Sequence, residues 1–147
     1  MRARDMAAPF PVLGLDASAL DAARLLAAND LPGLIVVDGD GQPKTILPGT
    51  QVLRMAVPRY CIDDPALARV VDEEHADRFL LDLADRTVAE LLPEHPGELP
   101  VVGPDATVLE IAALMARARS PLVAVVTDRQ MLGAITLDAL LDRMLGT

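Results

Sequence analysis

Few side chains in this chain could carry chemistry, and they are scattered. Two histidines and one cysteine occur in 147 residues. His75 stands beside Glu74 and near Asp72, a set that could hold a metal weakly but that reads first as a solvated helix face. His95 lies between proline-rich breaks and has no partner at a useful spacing, so no Ser/His/Asp nucleophile can be assembled. Cys61 has no local cue for reactivity and reads as a small buried apolar residue. Being alone, it also excludes an intrachain disulfide and points to a cytoplasmic setting. Asp38-Gly39-Asp40-Gly41 is neither a phosphate loop nor a calcium loop. No Lys-Ser/Thr follows it, and the glycine and distal Glu of a calcium loop are misplaced. It suits a hairpin turn. We therefore expect no catalytic residue, no metal, no cofactor and no enzyme.

Hydroxyl and carboxylate residues do recur in a pattern. Ser18 with Asp21, Thr107 with Glu110 and Thr87 with Glu90 have the spacing of a capping box, in which the hydroxyl and the acid satisfy free N–H groups of a first helical turn. The first two belong to a repeat. Residues 16–55, moved forward by 89 positions, lie over 105–144 without a gap. Asp16-Ala17-Ser18-Ala19-Leu20 meets Asp105-Ala106-Thr107-Val108-Leu109, Pro32 meets Pro121, and Val36-Val37 meets Val125-Val126. In that register Thr136 and Asp138 fall on Leu47 and Gly49. Two copies of one unit imply a pseudo-twofold arrangement in which each buries a face it could not bury alone.

The elements of each copy follow from periodicity. Apolar residues at helical spacing predict helices at roughly 19–30 and 108–119, stopped by Pro32 and Pro121. Leu34 to Val37 and Val123 to Val126 are unbroken apolar runs, as in strands buried on both faces. A polar turn, a second strand (Thr45 to Leu47; Leu132 to Ile135) and a closing helix (Thr50 to Ala56; Leu137 to Leu145) complete the unit. Short extended pieces precede it at Val12-Leu13 and Leu99 to Val102. The fold class is therefore α/β (α+β), with two pseudo-symmetric β-α-β-β-α repeats. Repeat one spans about 1–56, a helical insert about 57–86 and repeat two about 87–147, in a single module. The insert carries a cap at Asp63-Asp64-Pro65 and an apolar stripe from Leu67, Val70 and Val71 through Ala76, Phe79 and Leu80 to Leu83.

Charge bounds the partners. The net charge is −9, and residues 61–100 hold three basic and eleven acidic side chains. An acidic chain repels phosphate backbones, so nucleic acid is not expected, nor is an anionic membrane. No apolar run reaches the length of a membrane span, so no insertion is expected either, and the N-terminus does not read as a signal peptide. The acidic segment reads as a solvated face or as a docking surface for a basic partner.

The element order, with Ser-Pro-Leu-Val-Ala-Val-Val at 120–126 and Leu-Gly-Ala-Ile-Thr-Leu-Asp-Ala-Leu-Leu at 132–141, resembles the CBS domain, and two copies in tandem resemble a Bateman module. Thr87 to Leu92 is similar to the lead-in before a CBS repeat, and Arg4-Asp5-Met6 to a clipped version of it. The resemblance implies a regulatory module that binds an adenine nucleotide in a cleft between the repeats. It places Thr107 before a site helix, Pro121 and Leu122 at the adenine, and Thr136 and Asp138 near phosphate and ribose. The family's Thr-x-x-Asp pattern reads here as Thr136-Leu137-Asp138, with the carboxylate one place early, so Asp138 could cap its own helix instead. The resemblance also implies a homodimer. A module that binds no ligand and docks a partner transporter or enzyme is the alternative.

Overall fold

The computed structural model describes the chain except residues 30, 72, 73, 75–77, 80 and 147. The His75 expectation, and Ala76 and Leu80 of the insert's stripe, lie outside the described residues. The elements run α1 (Ala3–Met6), β1 (Val12–Gly14), α2 (Ala19–Asn29), β2 (Gly33–Val37), β3 (Pro43–Pro48), α3 (Gly49–Ala56), α4 (Arg59–Asp63), α5 (Pro65–Ala68), a 3-10 turn (Asp82–Asp85), α6 (Val88–Leu91), β4 (Val101–Val102), α7 (Val108–Ala118), β5 (Leu122–Thr127), β6 (Gln130–Thr136) and α8 (Leu137–Leu145). They form two three-stranded sheets, ordered β1-β2-β3 and β4-β5-β6. The expected unit thus occurs twice. β5 pairs parallel with β4 (Val101 opposite Ala124) and antiparallel with β6 (Leu122 opposite Thr136). Leu34, Ile35 and Val36, and Leu122 through Val125, are at most 1% exposed, which accounts for their lack of alternation.

The residues fall into two compact units. One comprises Met1–Val12, Ile35–Ile46 and Gly97–Thr147; the other comprises Leu13–Leu34 and Leu47–Pro96. The first unit has two core clusters. Ile111, Met115, Val123, Val125, Ile135 and Leu140 pack with Ala3, while Leu99, Leu122, Ala124 and Ala134 pack with Ile35. In the second unit the buried side chains include Ala19, Ala22, Leu47, Val52, Leu83, Val88 and Leu91.

Both lead-ins are present, and each lies against the other copy. Ala3 N–H donates to Ala106 O (2.8 Å) and Arg4 N–H to Pro104 O (3.0 Å). Val88 N–H donates to Ala17 O (2.8 Å) and Ala89 N–H to Leu15 O (3.0 Å). Acceptors 15 and 17 become 104 and 106 on adding 89, so the two dockings are the same bond pattern made twice. Arg2 bridges Thr107, and Thr87 bridges Ser18, in antiparallel pairs. Thr87 acts through that backbone pair: its side chain makes no capping bond, contrary to the capping-box expectation. Of the other two boxes the hydroxyl half forms. Thr107 Oγ1 accepts from Glu110 N–H (3.2 Å), and Ser18 Oγ from Leu20 N–H (3.2 Å). Asp21 pairs with Arg24 instead (3.5 Å).

The gapless 89-residue offset needs correction. The first hairpin closes with Asp38 N–H on Gln42 O (2.9 Å), leaving three loop residues, and Gly41 adopts φ +81°. The second pairs Thr127 with Gln130, leaving two, and Asp128 and Arg129 both have positive φ (48° and 63°), the geometry of a type I′ turn. One loop residue fewer makes the offset 88 from there on. Burial agrees: Leu47 and Ile135 are both 0% exposed, and Val52 and Leu140 are 3% and 2%. The first-copy counterparts of Thr136 and Asp138 are therefore Pro48 and Thr50, not Leu47 and Gly49.

Of the described members of the insert's stripe, Leu83 is buried, Val71 and Phe79 are half-buried, and Leu67 and Val70 are exposed. Asp64 does cap α5, its carboxylate accepting from Ala66 N–H (3.0 Å) with Pro65 in the first turn. Leu67 and Val70 are 41% and 79% exposed, so they are not buried members of a stripe. Leu83 is buried, in the 3-10 turn. α5 is only four residues long, so helical spacing between Leu67 and Val70 does not carry into one continuous face.

Candidate functional site

The β6–α8 junction gathers three of the five expected ligand residues. α7 ends at Arg119, which takes the left-handed conformation (φ 52°), and Ser120 N–H closes the turn on Met115 O (3.2 Å). Ser120 is buried, its Oγ donating to Leu122 O (2.8 Å) and accepting from Leu122 N–H (3.2 Å). This clamp holds Pro121 at the start of β5. Pro121 O in turn accepts from Leu137 N–H (2.9 Å), tying the first residue of α8 to it. Thr136 caps α8: its Oγ1 accepts from Ala139 N–H (3.2 Å), and its own hydroxyl hydrogen remains available. Asp138 stands in the first turn of α8, exposed. The helix dipole favours its negative charge there. The cap is thus Thr136, and the alternative of Asp138 as its own helix cap is corrected.

The other two expected residues are placed differently. Leu122 is 0% exposed and packs among Ile35, Leu99, Ala124 and Ala134, so its side chain belongs to the core. Its N–H and carbonyl are already engaged by Ser120. Thr107 precedes α7, whereas Pro121 follows it. An 11-residue helix separates them, roughly 16 Å of axis. β4 runs parallel to β5 and leads into Thr107, which puts Thr107 at the opposite end of the sheet from Leu122 and Thr136. Thr107 serves as a cap and as the backbone partner of the N-terminal arm. Its absence from the cluster is a correction that sequence spacing alone could not have made.

Next to Pro121 a cavity of about 390 Å³ opens between α7 and α8, bounded by Met115, Arg119, Leu137, Leu141 and Met144. Thr136 and Asp138 do not line it. The junction therefore presents an apolar recess and, on another face of the same helix start, a hydroxyl–carboxylate pair. Chemically the pair can donate one hydrogen bond and accept several, the complement of a vicinal diol. Leu137, Leu141, Met144 and Leu145 of α8 are 42%, 43%, 52% and 72% exposed, an apolar strip whose first three residues also line the recess.

Two copies of a β-α-β-β-α unit, each completed by the other's lead-in, define a tandem module. The sequence profile of the CBS domain matches residues 3–48 and 88–146, and the chain belongs to the CBS domain family. Among solved structures it is similar to a CBS domain-containing protein of unknown function from Kribbella flavida DSM 17836, with 54% identity, a TM-score of 0.91 and 99% of both chains covered. CBSX2 in complex with AMP has 19% identity and a TM-score of 0.67, with 99% of this chain and 96% of that one covered. The CBS domain of a bacterial CNNM/CorC family Mg2+ transporter in complex with ATP has 16% identity and a TM-score of 0.66, with 99% and 88% covered. At those identities the last two establish the fold alone. Among curated protein sequences nothing matches. Among the described residues no helix is long and apolar enough to cross a membrane.

Proposed function

We propose that this CBS pair senses an adenine nucleotide at the β6–α8 junction. The observation that carries the reading is the placement of the Thr136 hydroxyl and the Asp138 carboxylate together at the start of α8, beside Pro121. The carboxylate accepts the ribose hydroxyls, the threonine hydroxyl donates, and Pro121 lies against the base. Structures of the same fold in complex with AMP and ATP support the ligand class. With a net charge of −9, the chain favours AMP or ADP over ATP. The first copy offers Thr50 but no carboxylate, so one site per chain dominates. Calorimetry with AMP, ADP and ATP tests this. Asp138→Ala should weaken binding by about 1.5–3 kcal/mol, the scale of hydrogen bonds to a charged group. Unchanged affinity in that variant would remove Asp138 from the site.

A second reading is a protein-interaction module that docks a transporter or enzyme. The occupied backbone and buried side chain of Leu122 favour it, because they remove one of the expected adenine contacts. No heat with any adenine nucleotide would put it first. In both readings the chain forms a homodimer through the exposed apolar strip of α8.

A further inference from the structure

The closing helix of the first copy and the two helices after it build a recess of their own. α3, α4 and α5 line an open groove of about 410 Å³, a volume within the range of small-molecule sites, with Leu53 and Ile62 56% and 44% exposed. Its apolar wall consists of Leu53, Val57, Ile62 and Ala68, together with Cys61, which is only 8% exposed. Its polar side is formed by Thr50 and Arg54, one helical turn apart on α3. Arg54 makes no ion pair or hydrogen bond among the described residues. Nearby groups are engaged elsewhere. Asp63 pairs with Arg59 (3.7 Å), Asp64 caps α5, and the Gln51 amide donates to Leu91 O (2.8 Å). Among the described residues the one charged group lining the groove is thus a guanidinium that no described carboxylate neutralises, set against aliphatic walls.

That combination selects an amphipathic anion. A guanidinium presents a planar fork of donors that matches a carboxylate, and a threonine hydroxyl one turn away can donate to the same oxygens. The aliphatic walls match an unbranched hydrocarbon body. A nucleotide is a poor match, since among the described residues the lining has no carboxylate for a ribose and no second cation for a phosphate chain. We propose that this groove binds a medium-chain aliphatic monocarboxylate, with its head group on Arg54 and Thr50 and its tail against Leu53, Val57, Cys61, Ile62 and Ala68. The site is separate from the β6–α8 junction and stands or falls independently of the nucleotide reading.

Decanoate and decanol, each below its aggregation threshold, are the probes for the intact protein. Binding is followed by calorimetry and melting temperature, and occupancy by the rate at which iodoacetamide alkylates Cys61. Decanoate should raise the melting temperature, slow alkylation and bind about 10- to 100-fold more tightly than decanol. Arg54→Gln should lower decanoate affinity to that of decanol, whereas Arg54→Lys should retain part of the preference. Arg54 is exposed, so both variants should fold, and their melting curves without ligand verify it. Absence of both stabilisation and Cys61 protection by decanoate would overturn the proposal. Equal affinity for decanoate and decanol in the wild type, or an undiminished decanoate affinity in Arg54→Gln, would overturn it as well.

Discussion

Gly133 decides whether the N-terminal arm can dock, and Gly133→Ala measures how much that docking stabilises the fold. Ala8 and Ala134 exchange two backbone hydrogen bonds, with Ala8 N–H on Ala134 O (3.0 Å) and Ala134 N–H on Ala8 O (2.9 Å). A Cβ on Gly133 would stand 2.6 Å from the Ala8 carbonyl oxygen and 3.0 Å from its carbon. Those are backbone atoms, so no side-chain rotation relieves the contact. If the arm stays, overpacking costs about 1–3 kcal/mol. If it leaves, the two Ala8 bonds and those of Ala3 and Arg4 go with it, at about 0.5–1.5 kcal/mol each, and the fully buried Ala3 is uncovered. The smaller penalty wins, so the expected loss is about 1–3 kcal/mol. For a chain of this length that corresponds to a drop in melting temperature of roughly 2–12 °C. Gly103→Ala is the control: nothing lies within 4 Å of its added Cβ, and it should change stability by less than about 0.5 kcal/mol. Urea and thermal unfolding of the two variants side by side provide the comparison. Indistinguishable curves would refute the argument and would mean that the arm contributes little to the folded state.

Other consequences are simpler to state. Thr107→Ala removes the hydroxyl that accepts from Glu110 N–H and should cost about 1 kcal/mol in chemical denaturation, with Thr107→Ser restoring most of it. The Asp38 carboxyl is held below its ordinary value of 3.8, first by the Gln42 N–H and further by Lys44 (3.3 Å). A carboxyl with a lowered folded pKa contributes stability that is present above its unfolded value and is lost as pH falls through the folded one. The stability advantage of wild type over Asp38→Asn should therefore shrink as pH drops below about 4, and denaturation curves at stepped pH would show whether it does. Leu141→Glu charges the exposed strip of α8 and should give a monomer where the wild type gives a dimer, by light scattering at micromolar concentration. A monomeric wild type would contradict the dimer outright.

Element types and order were legible in the sequence because each carries a local signal. The unbroken apolar runs became doubly buried strands, and the prolines ended helices where expected. The register of the repeat was half legible. Identities at one offset ran on through Arg54-Met55 over Arg143-Met144, yet a shorter second turn had already shifted the backbone by one. In a chain rich in Ala, Leu and Val, chance identities at the wrong offset arise easily, whereas burial cannot drift. Val52 and Leu140 share a burial state and Leu53 and Leu141 share exposure, so they set the true equivalence. The site was less legible for another reason. Thr107, Pro121 and Asp138 are separated by whole elements, and only strand direction and helix length reveal that Thr107 lies at the far end of the sheet. Leu122 reads as accessible from its neighbours Ser120 and Pro121, but both faces of β5 are covered, so its side chain lies in the core.

The corrected register also changes what the two copies can do. Under a constant offset the first copy would set Gly49 against Asp138 and present only backbone at that place. With the turn counted, Thr50 stands there, a hydroxyl at the start of α3 that lines the groove containing Arg54 and Cys61. The start of the second closing helix presents Thr136 and Asp138, both exposed to solvent in part or in full. The same position in a duplicated unit therefore carries an acceptor-rich carboxylate in one copy and a neutral hydroxyl near an arginine in the other. A carboxylate favours a ligand rich in hydroxyl donors, and a hydroxyl beside a guanidinium favours an anion. The two helix starts are equivalent in place and differ in side chain, and that difference separates the ligand chemistries they suit.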